Sequence, residues 1–355
     1  MNAGKWFKNC IAIILIGLAL SAVMVACFDP FFHYHAPLPG FYYVLDEQRS
    51  QNNGITRHFD YDAIITGTSM TENFKTSELD DLFGVRSVKL PYAGATYREL
   101  NENLEAAFAT HDKIRMVVRS LDMSMVAHDP ETLREDMGSY PDYLYDENPV
   151  NDVKYLFNRD VIFRYCGVML LNRLRGVAGG VTDFDTYSYT GDNFLYDGLS
   201  AFGGEAVFGP SAPEREITQE EYDNAVRNIR EYVCALAIEH PETEFYYFIP
   251  PYSMVSWGRE KEAGTLGRTI ALYRLLVTEV SQVENIHLYA FGTRTEITAE
   301  LTNYHDPGHY GPWINSLILQ EMREGTGRIT QDNAEAYLEE LETLVRDYDY
   351  DALTP

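Results

Sequence analysis

The stretch that decides the fold is DAIITGTSM, at residues 62–70. Its first half is a short apolar run that ends at Gly67, which is typical of a strand buried on both faces of a parallel sheet. Ligands bind such sheets at the carboxyl ends of the strands, so Ser69 stands where a reacting group belongs. A serine just after a strand is also a common helix cap, and by itself it does not indicate an enzyme.

Four more segments have the composition of strands, at residues 86–90, 114–121, 244–249 and 285–291. Helical patterns lie between and after them, at residues 97–110, 218–236, 259–280 and 312–322. Strands that alternate with helices predict a parallel sheet with helices on both faces. We therefore expect an α/β fold of three layers, α/β/α, with about five parallel strands.

Residues 123–215 interrupt this alternation and are predicted to be a large insertion. Long loops at the carboxyl edge of a sheet often build substrate sites, and we expect the insertion to lie over that edge. Tyr252 follows the fourth predicted strand and should face the same crevice, so it is a candidate substrate contact.

A second motif, Asp306-Pro307-Gly308-His309, supplies the partners that a serine nucleophile needs. A serine hydroxyl reacts well only when a histidine accepts its proton and a carboxylate holds that histidine in one tautomer. An aspartate and a histidine three residues apart can share one tight turn, and this turn follows the fifth strand. The sequence therefore predicts a triad of Ser69, His309 and Asp306, with no metal and no cofactor.

Together these motifs resemble the SGNH (GDSL-like) hydrolase family. Gly67-Thr68-Ser69 matches the family's nucleophile motif with Thr68 in the aspartate position, and Asp306 and His309 match its Asp-x-x-His motif. The resemblance covers about residues 61–322 without the insertion. It implies a flavodoxin-like sheet and an acyl-enzyme on Ser69.

The resemblance also implies an oxyanion hole, which departs from the family pattern in one position. The backbone N–H groups of Ser69 and Gly94 match two of its donors. The third, an asparagine, is replaced by Asp122, and an ionised carboxylate cannot donate a hydrogen bond. Three alternatives remain open: another group donates, the hole has only two donors, or Asp122 contacts substrate.

The N-terminus predicts a membrane anchor. Lys5 and Lys8 precede an uncharged apolar run at residues 10–28, which is close to the ~20 residues that cross a bilayer. Basic residues before the run favour a cytoplasmic N-terminus, so residues 1–28 are expected to be an uncleaved signal anchor and residues 29–355 to be an extracytoplasmic domain. The alternative is a lipoprotein processed at Cys27. Cys166 and Cys234 are either a disulfide or two buried free thiols.

The net charge of the chain is −26, from 54 acidic and 28 basic residues. So acidic a surface repels phosphates, which argues against a nucleic-acid partner. The anchor and the resemblance instead favour a serine esterase or O-acyltransferase that acts on acyl esters, with acetyl as the expected group, of cell-surface glycans. Relatives of this type work beside membrane acyl-transfer proteins, which implies such a partner. The alternative is a catalytically weak, tethered glycan-binding or assembly factor for an envelope acylation complex.

Overall fold

The computed structural model describes residues 3–134, 140–204 and 207–353. Two compact units can be distinguished within the chain. The first combines residues 1–60 with residues 136–183, and the second combines residues 61–135 with residues 184–355. The segment predicted as an insertion, residues 123–215, thus contributes to both units.

The strands are β1 (Tyr42–Tyr43), β2 (Ala63–Gly67), β3 (Ser87–Pro91), β4 (Met116–Ser120), β5 (Gly180–Val181), β6 (Glu244–Ile249), β7 (Ile286–Ala290) and β8 (Arg328–Ile329). Six of them form the sheet of the second unit, in the order β3-β2-β4-β6-β7-β8. The first five of these are parallel, and β8 is antiparallel to β7. The expected α/β fold with a parallel sheet is therefore confirmed, and a short antiparallel strand is added at its edge.

The helices are α1 (Ala3–Phe28), α2 (Gln48–His58), α3 (Thr76–Phe83), α4 (Tyr97–Thr110), α5 (Val153–Leu156), α6 (Gly167–Leu174), α7 (Gly198–Ala201), α8 (Gln219–Ile229), α9 (Ala235–Glu239), α10 (Met254–Glu262), α11 (Leu266–Val280), α12 (Thr295–Thr298), α13 (Pro312–Glu324) and α14 (Ala334–Asp347). Wider π-helical turns precede α6 and join α8 to α9, at Val161–Cys166 and Arg230–Cys234. Threonine caps with capping boxes begin both α4 and α8, as their sequences indicate.

Both faces of the six-stranded sheet are covered by helices. On one face, Ile65 packs in a cluster with Leu79 of α3 and Ile318 of α13. On the other face, the buried Arg119 of β4 donates a hydrogen bond of 2.7 Å to the carbonyl of Tyr232, between α8 and α9. Side chains of a strand alternate between faces, so a strand covered on both sides must be apolar nearly throughout. That is the reason for the largely apolar runs in the sequence, which Lys89 and Arg119 interrupt.

The first unit contains α1, and its chain turns sharply just after that helix. The buried carboxylate of Asp29 accepts backbone N–H bonds from His33, Tyr34 and His35, at 2.6 to 3.0 Å, and the hydroxyl of Tyr155 donates to it at 2.8 Å. β1 and β5 form a small parallel sheet in the same unit. Helix α1 is long and apolar enough to span a membrane.

Candidate active site

The residues that the sequence singles out follow the carboxyl ends of neighbouring strands in the six-stranded sheet. Ser69 comes after β2, Gly94 after β3, Asp122 after β4 and Tyr252 after β6. The chain runs from β2 outward to β3 and then crosses back to β4, so the strand order reverses between β2 and β4. Crevices for ligands form at such a reversal, because the loops on its two sides diverge.

Gly67 gives the chain the turn that presents Ser69. Its φ is +148°, a conformation that residues with a Cβ rarely adopt. A Cβ at this position would overlap the Ser120 hydroxyl and the Thr71 methyl group. Thr68 then caps a single helical turn at Ser69–Thr71, where its hydroxyl accepts the N–H of Met70. The predicted capping function therefore belongs to Thr68 and leaves the Ser69 hydroxyl available.

Replacement of Gly67 by alanine is expected to lower the free energy of unfolding by about 2–5 kcal/mol, because a disfavoured φ and an overpacked Cβ act together. Urea unfolding followed by circular dichroism measures the loss. Gly84→Ala is the matched control: Gly84 also has a positive φ, of +64°, but no atom lies within 4 Å of its Cβ position. A loss no larger than that of the control would contradict the close packing around Gly67.

Ser69, His309 and Asp306 form a continuous hydrogen-bonded relay. The Oγ of Ser69 lies 2.8 Å from Nε2 of His309, and Nδ1 of His309 lies 2.7 Å from Oδ2 of Asp306. The backbone N–H groups of Gly308 and His309 both donate to Oδ1 of Asp306, at 2.8 Å each. The four-residue loop thus fixes the carboxylate and the imidazole together, as the Asp-x-x-His spacing indicates.

The charges in this relay favour the tautomer that a general base needs. Burial opposes the ionisation of Asp306, but its hydrogen bonds to His309 and Gly308 outweigh burial and hold its pKa at about 2. Asp306 is therefore a carboxylate and accepts the proton on Nδ1, which leaves Nε2 as the acceptor for the Ser69 hydroxyl. Burial lowers the pKa of His309, yet the hydrogen bond to Asp306 and its charge raise it overall above the ordinary value.

The loop that carries the relay is anchored at both sides. Tyr304 and Tyr310 form an antiparallel bridge around it, and the N–H of His305 donates to the carbonyl of His309 at 3.1 Å. The hydroxyl of Ser253, at the start of α10, donates to the carbonyl of Pro307 at 2.6 Å. The position of His309 is therefore set by α10 as well as by its own turn.

Gly94 lies in the wall of the same cavity as Ser69 and His309. Its φ is +62°, and its carbonyl accepts a bond of 2.6 Å from the guanidinium of Arg134. This contact turns the carbonyl of Gly94 toward Arg134, and a Cβ at Gly94 would collide with that guanidinium. Glycine is therefore required here both by the backbone conformation and by the approach of Arg134.

Asp122 also lies in this wall, and its side chain is almost fully buried. The Ser120 hydroxyl donates to its Oδ2 at 2.7 Å, and the Tyr252 hydroxyl lies 3.4 Å from its Oδ1. Tyr252 in turn accepts the N–H of Met123 at 3.3 Å. Burial raises the pKa of Asp122, and this effect exceeds the opposing effects of Ser120, Thr68, His309 and Tyr252.

Two cavities flank the Ser69 hydroxyl. The first has a volume of about 250 Å³, and Tyr252 lines it together with several apolar side chains that the sequence did not single out: Met70, Met123, Met125, Trp257 and Leu272. The second has a volume of about 390 Å³ and a more polar lining, which includes Glu72, Asn73, Thr190, Phe194, His305 and Asn315. Asn73 fixes the loop of this second cavity, because its Oδ1 accepts the N–H groups of Thr190 and Gly191 at 2.9 and 3.0 Å.

His305 stacks between two rings beside the relay. Its ring centroid lies 3.8 Å from that of Phe194 and 5.3 Å from that of His309, with nearly parallel planes. The ligand atoms of His305, Asp306 and His309 lie within 4.8 Å of one another, close enough to hold a metal ion. Both ring nitrogens of His309 are already hydrogen-bonded, however, so a metal at Nδ1 would replace the Nδ1–Asp306 bond of the relay.

The four cysteines are free thiols, and Cys166 and Cys234 are buried. Cys166 belongs to the first unit and Cys234 to the second. Cys27 is exposed and lies one residue before the end of α1.

Comparison with protein-family models, with curated proteins and with solved structures finds no match to this chain.

Proposed function

We propose that the protein is a membrane-anchored serine esterase or O-acyltransferase of the SGNH type, which acts on acyl esters through an acyl-enzyme on Ser69. The observation that carries this proposal is the relay from Ser69 through His309 to Asp306, with links of 2.8 and 2.7 Å. It lies at the strand ends where a substrate can reach it, and more than a third of each of the His309 and Asp306 side chains is exposed.

The relay supports the following chemistry. As the Oγ of Ser69 attacks the ester carbonyl, its proton passes to Nε2 of His309, and Asp306 stabilises the imidazolium that forms. The tetrahedral intermediate then collapses, and His309 returns the proton to the departing alcohol oxygen. In the second half, His309 takes a proton from water or from a sugar hydroxyl, whose oxygen attacks the acyl carbon. The bond from the acyl carbon to Oγ of Ser69 then breaks, and His309 returns the proton to that Oγ. Water gives an esterase and a sugar hydroxyl gives a transferase.

The oxyanion is assigned to the backbone N–H groups of Ser69 and Gly94 and to a third donor, the protonated carboxyl group of Asp122. The sequence left three alternatives open, and the burial of Asp122, which raises its pKa, favours a fourth, in which Asp122 itself donates in its neutral form. A neutral carboxyl group carries one O–H donor, which a carboxylate lacks. Its Oδ2 remains the acceptor for Ser120, and the proton would lie on Oδ1, which is 3.4 Å from the Tyr252 hydroxyl.

The two cavities support different roles for the two sides of an ester. The first cavity has methionine, leucine and tryptophan side chains in its wall, which suits the acyl group. The second has amide, hydroxyl and aromatic groups, which suit a glycan alcohol.

The anchor sets the expected location. Helix α1 has 26 residues, enough for about 39 Å at 1.5 Å per residue, and Lys5 and Lys8 lie in its first turns. We infer that α1 crosses the cell membrane with its basic end in the cytoplasm and that the rest of the chain is extracytoplasmic. A cell-surface glycan and a membrane acyl-transfer protein are the proposed partners. Lipidation at Cys27 is the alternative form of attachment.

The proposal is tested by labelling the full-length chain, in detergent micelles, with a fluorophosphonate probe and by following hydrolysis of a chromogenic acetyl ester. We expect covalent labelling and turnover that are both lost in Ser69→Ala. Ser281→Ala is the matched control, because Ser281 lies at the end of α11, away from the relay, and we expect it to behave as the native chain. A folded chain with neither labelling nor turnover would overturn the esterase proposal and favour the tethered binding or assembly factor.

The pH dependence follows from the raised pKa of His309. His309 must be neutral to accept the Ser69 proton, so kcat/KM is expected to rise with pH and to level off only above the apparent pKa of this residue. That midpoint should lie above the ordinary histidine value of about 6.5. Asp306→Asn removes the charge that raises the pKa, and the midpoint is expected to fall. A midpoint below the ordinary value in the native chain would contradict the proposed relay.

A further inference from the structure

Large apolar side chains are exposed on residues 150–177, within the first compact unit. Isolated exposed apolar residues are common in proteins, but contiguous sets mark interaction surfaces. The four that share one side of the helical part, Phe163, Leu170, Leu171 and Leu174, are called the exposed apolar face; Val150, Val153, Phe157, Val168 and Val177 are exposed as well. Leu174 retains 77% of its accessible surface.

The helical part of this segment is apolar on two opposite sides. One side is buried and consists of Val161, Tyr165, Cys166 and Met169. Leu170, Leu171 and Leu174 lie on another side of α6, at spacings of one, three and four residues, and they are exposed. A helix with apolar side chains on two opposite sides needs apolar surroundings on both of them. The described residues supply such surroundings on one side only.

The buried side packs against the end of α1. Val25 belongs to the same hydrophobic cluster as Tyr155, Val161, Tyr165 and Cys166, and Met24 and Phe28 pack against this cluster. These α1 residues lie at the end of the apolar stretch, where a helix that spans a bilayer leaves the hydrocarbon region. With α1 as the anchor, residues 150–177 are therefore held at the level of the membrane surface.

The charge of the segment differs from that of the chain as a whole. Residues 150–177 contain five basic and two acidic side chains, a net charge of +3, whereas the chain carries −26. Three of the basic side chains form ion pairs: Lys154 with Asp142, Arg159 with Asp160, and Arg164 with Asp46 and Glu47. Arg173 and Arg175 flank Leu174 and are themselves exposed. Arginines beside an apolar face are typical of helices in the membrane interface, where the guanidinium groups reach the lipid phosphates.

We propose that the exposed apolar face of residues 150–177 lies in the lipid bilayer surface beside α1. Its apolar side chains would enter the boundary between headgroups and acyl chains, to a depth of about 5–10 Å. Arg173 and Arg175 would contact the phosphate groups. This contact holds the first unit against the membrane in addition to the single spanning helix. The proposal rests on α1 as the anchor and is independent of the chemistry at Ser69.

Spin labels on the full-length chain in nanodiscs of phosphatidylglycerol and phosphatidylethanolamine test this contact. Cys10→Ser and Cys27→Ser remove the two cysteines that are not buried, and Cys166 and Cys234 are kept. A single label is then placed by Leu171→Cys or by Leu174→Cys. Ile238→Cys is the control, since Ile238 is an apolar residue of α9 with 64% of its surface exposed. Leu15→Cys, within α1, reports the anchor itself. Collisions with oxygen, which enters lipid, and with a water-soluble nickel chelate are compared.

We expect the ratio of oxygen to nickel collisions at positions 171 and 174 to exceed that at position 238 several-fold and to approach that at position 15. Ratios equal to that at position 238 would overturn the lipid contact. So would low collision rates with both reagents, because these indicate cover by protein. If the label at position 15 is also accessible to nickel, the anchor proposal fails as well. Circular dichroism of each variant verifies that it is folded.

Discussion

His309→Ala is expected to lower kcat for ester hydrolysis by about 10⁴- to 10⁶-fold, because it removes the only base within reach of the Ser69 hydroxyl among the described residues. Residues of a relay act as one unit, so the double variant with Ser69→Ala should lose no more activity than either single variant. The measurement is kcat and KM on a chromogenic ester, and KM should change little, since the imidazole acts in the transition state.

Two further variants separate the relay from other uses of His309. Asp306→Asn leaves the loop hydrogen bonds largely in place but disturbs the tautomer of His309, and a loss of roughly 10⁴-fold is expected. His128→Ala is the matched control, because His128 is exposed and lies outside the relay. Two results would show that His309 serves some function other than general base. One is a loss in the Ser69→Ala, His309→Ala double variant that equals the product of the two single losses. The other is activity of the native chain that requires added zinc.

The architecture of the sheet could be predicted because the relevant signals are local. Each of the five parallel strands is a short run of mostly apolar residues, and burial on both faces weakens the alternation of polar and apolar positions. The antiparallel β8 consists of Arg328 and Ile329 only. Two residues carry no periodicity, so no pattern in the sequence could reveal this strand.

The relay could be predicted for a related reason. Asp306 and His309 are close in sequence, and Ser69 follows a strand end, so topology alone brings the two motifs to one edge of the sheet. The surroundings of the relay depend on long-range contacts instead. Phe194 reaches His305 from a loop more than a hundred residues earlier in the chain, and nothing in either sequence segment indicates that pairing.

The segment at residues 123–215 shows what sequence patterns leave open. The sequence predicts an insertion over the carboxyl edge of the sheet, and in the structure several side chains of its helical middle join a cluster with the end of α1. The same apolar periodicity serves a protein core and a membrane-facing helix, because both environments exclude water. Only the exposed side of α6 distinguishes them, and exposure cannot be observed in a sequence.

The chemistry of Asp122 depends on one proton. As a carboxylate it would repel the developing oxyanion, whereas as a neutral acid it would stabilise it. Its side chain is 5% exposed, and burial favours the neutral form by raising the pKa. The carboxylate would instead stabilise the imidazolium of His309, whose pKa the charge of Asp122 helps to raise. These two functions predict opposite results for an amide in the same place.

Asp122→Ala is expected to lower kcat about 10²- to 10³-fold, the usual cost of one missing oxyanion donor. Asp122→Asn supplies a permanent N–H donor of the same shape, so it should retain activity near that of the native chain. The value of kcat for the three chains gives the answer, with urea unfolding as the check on folding. An equal loss in the alanine and asparagine variants would assign Asp122 to charge stabilisation of His309, because only a carboxylate performs that function.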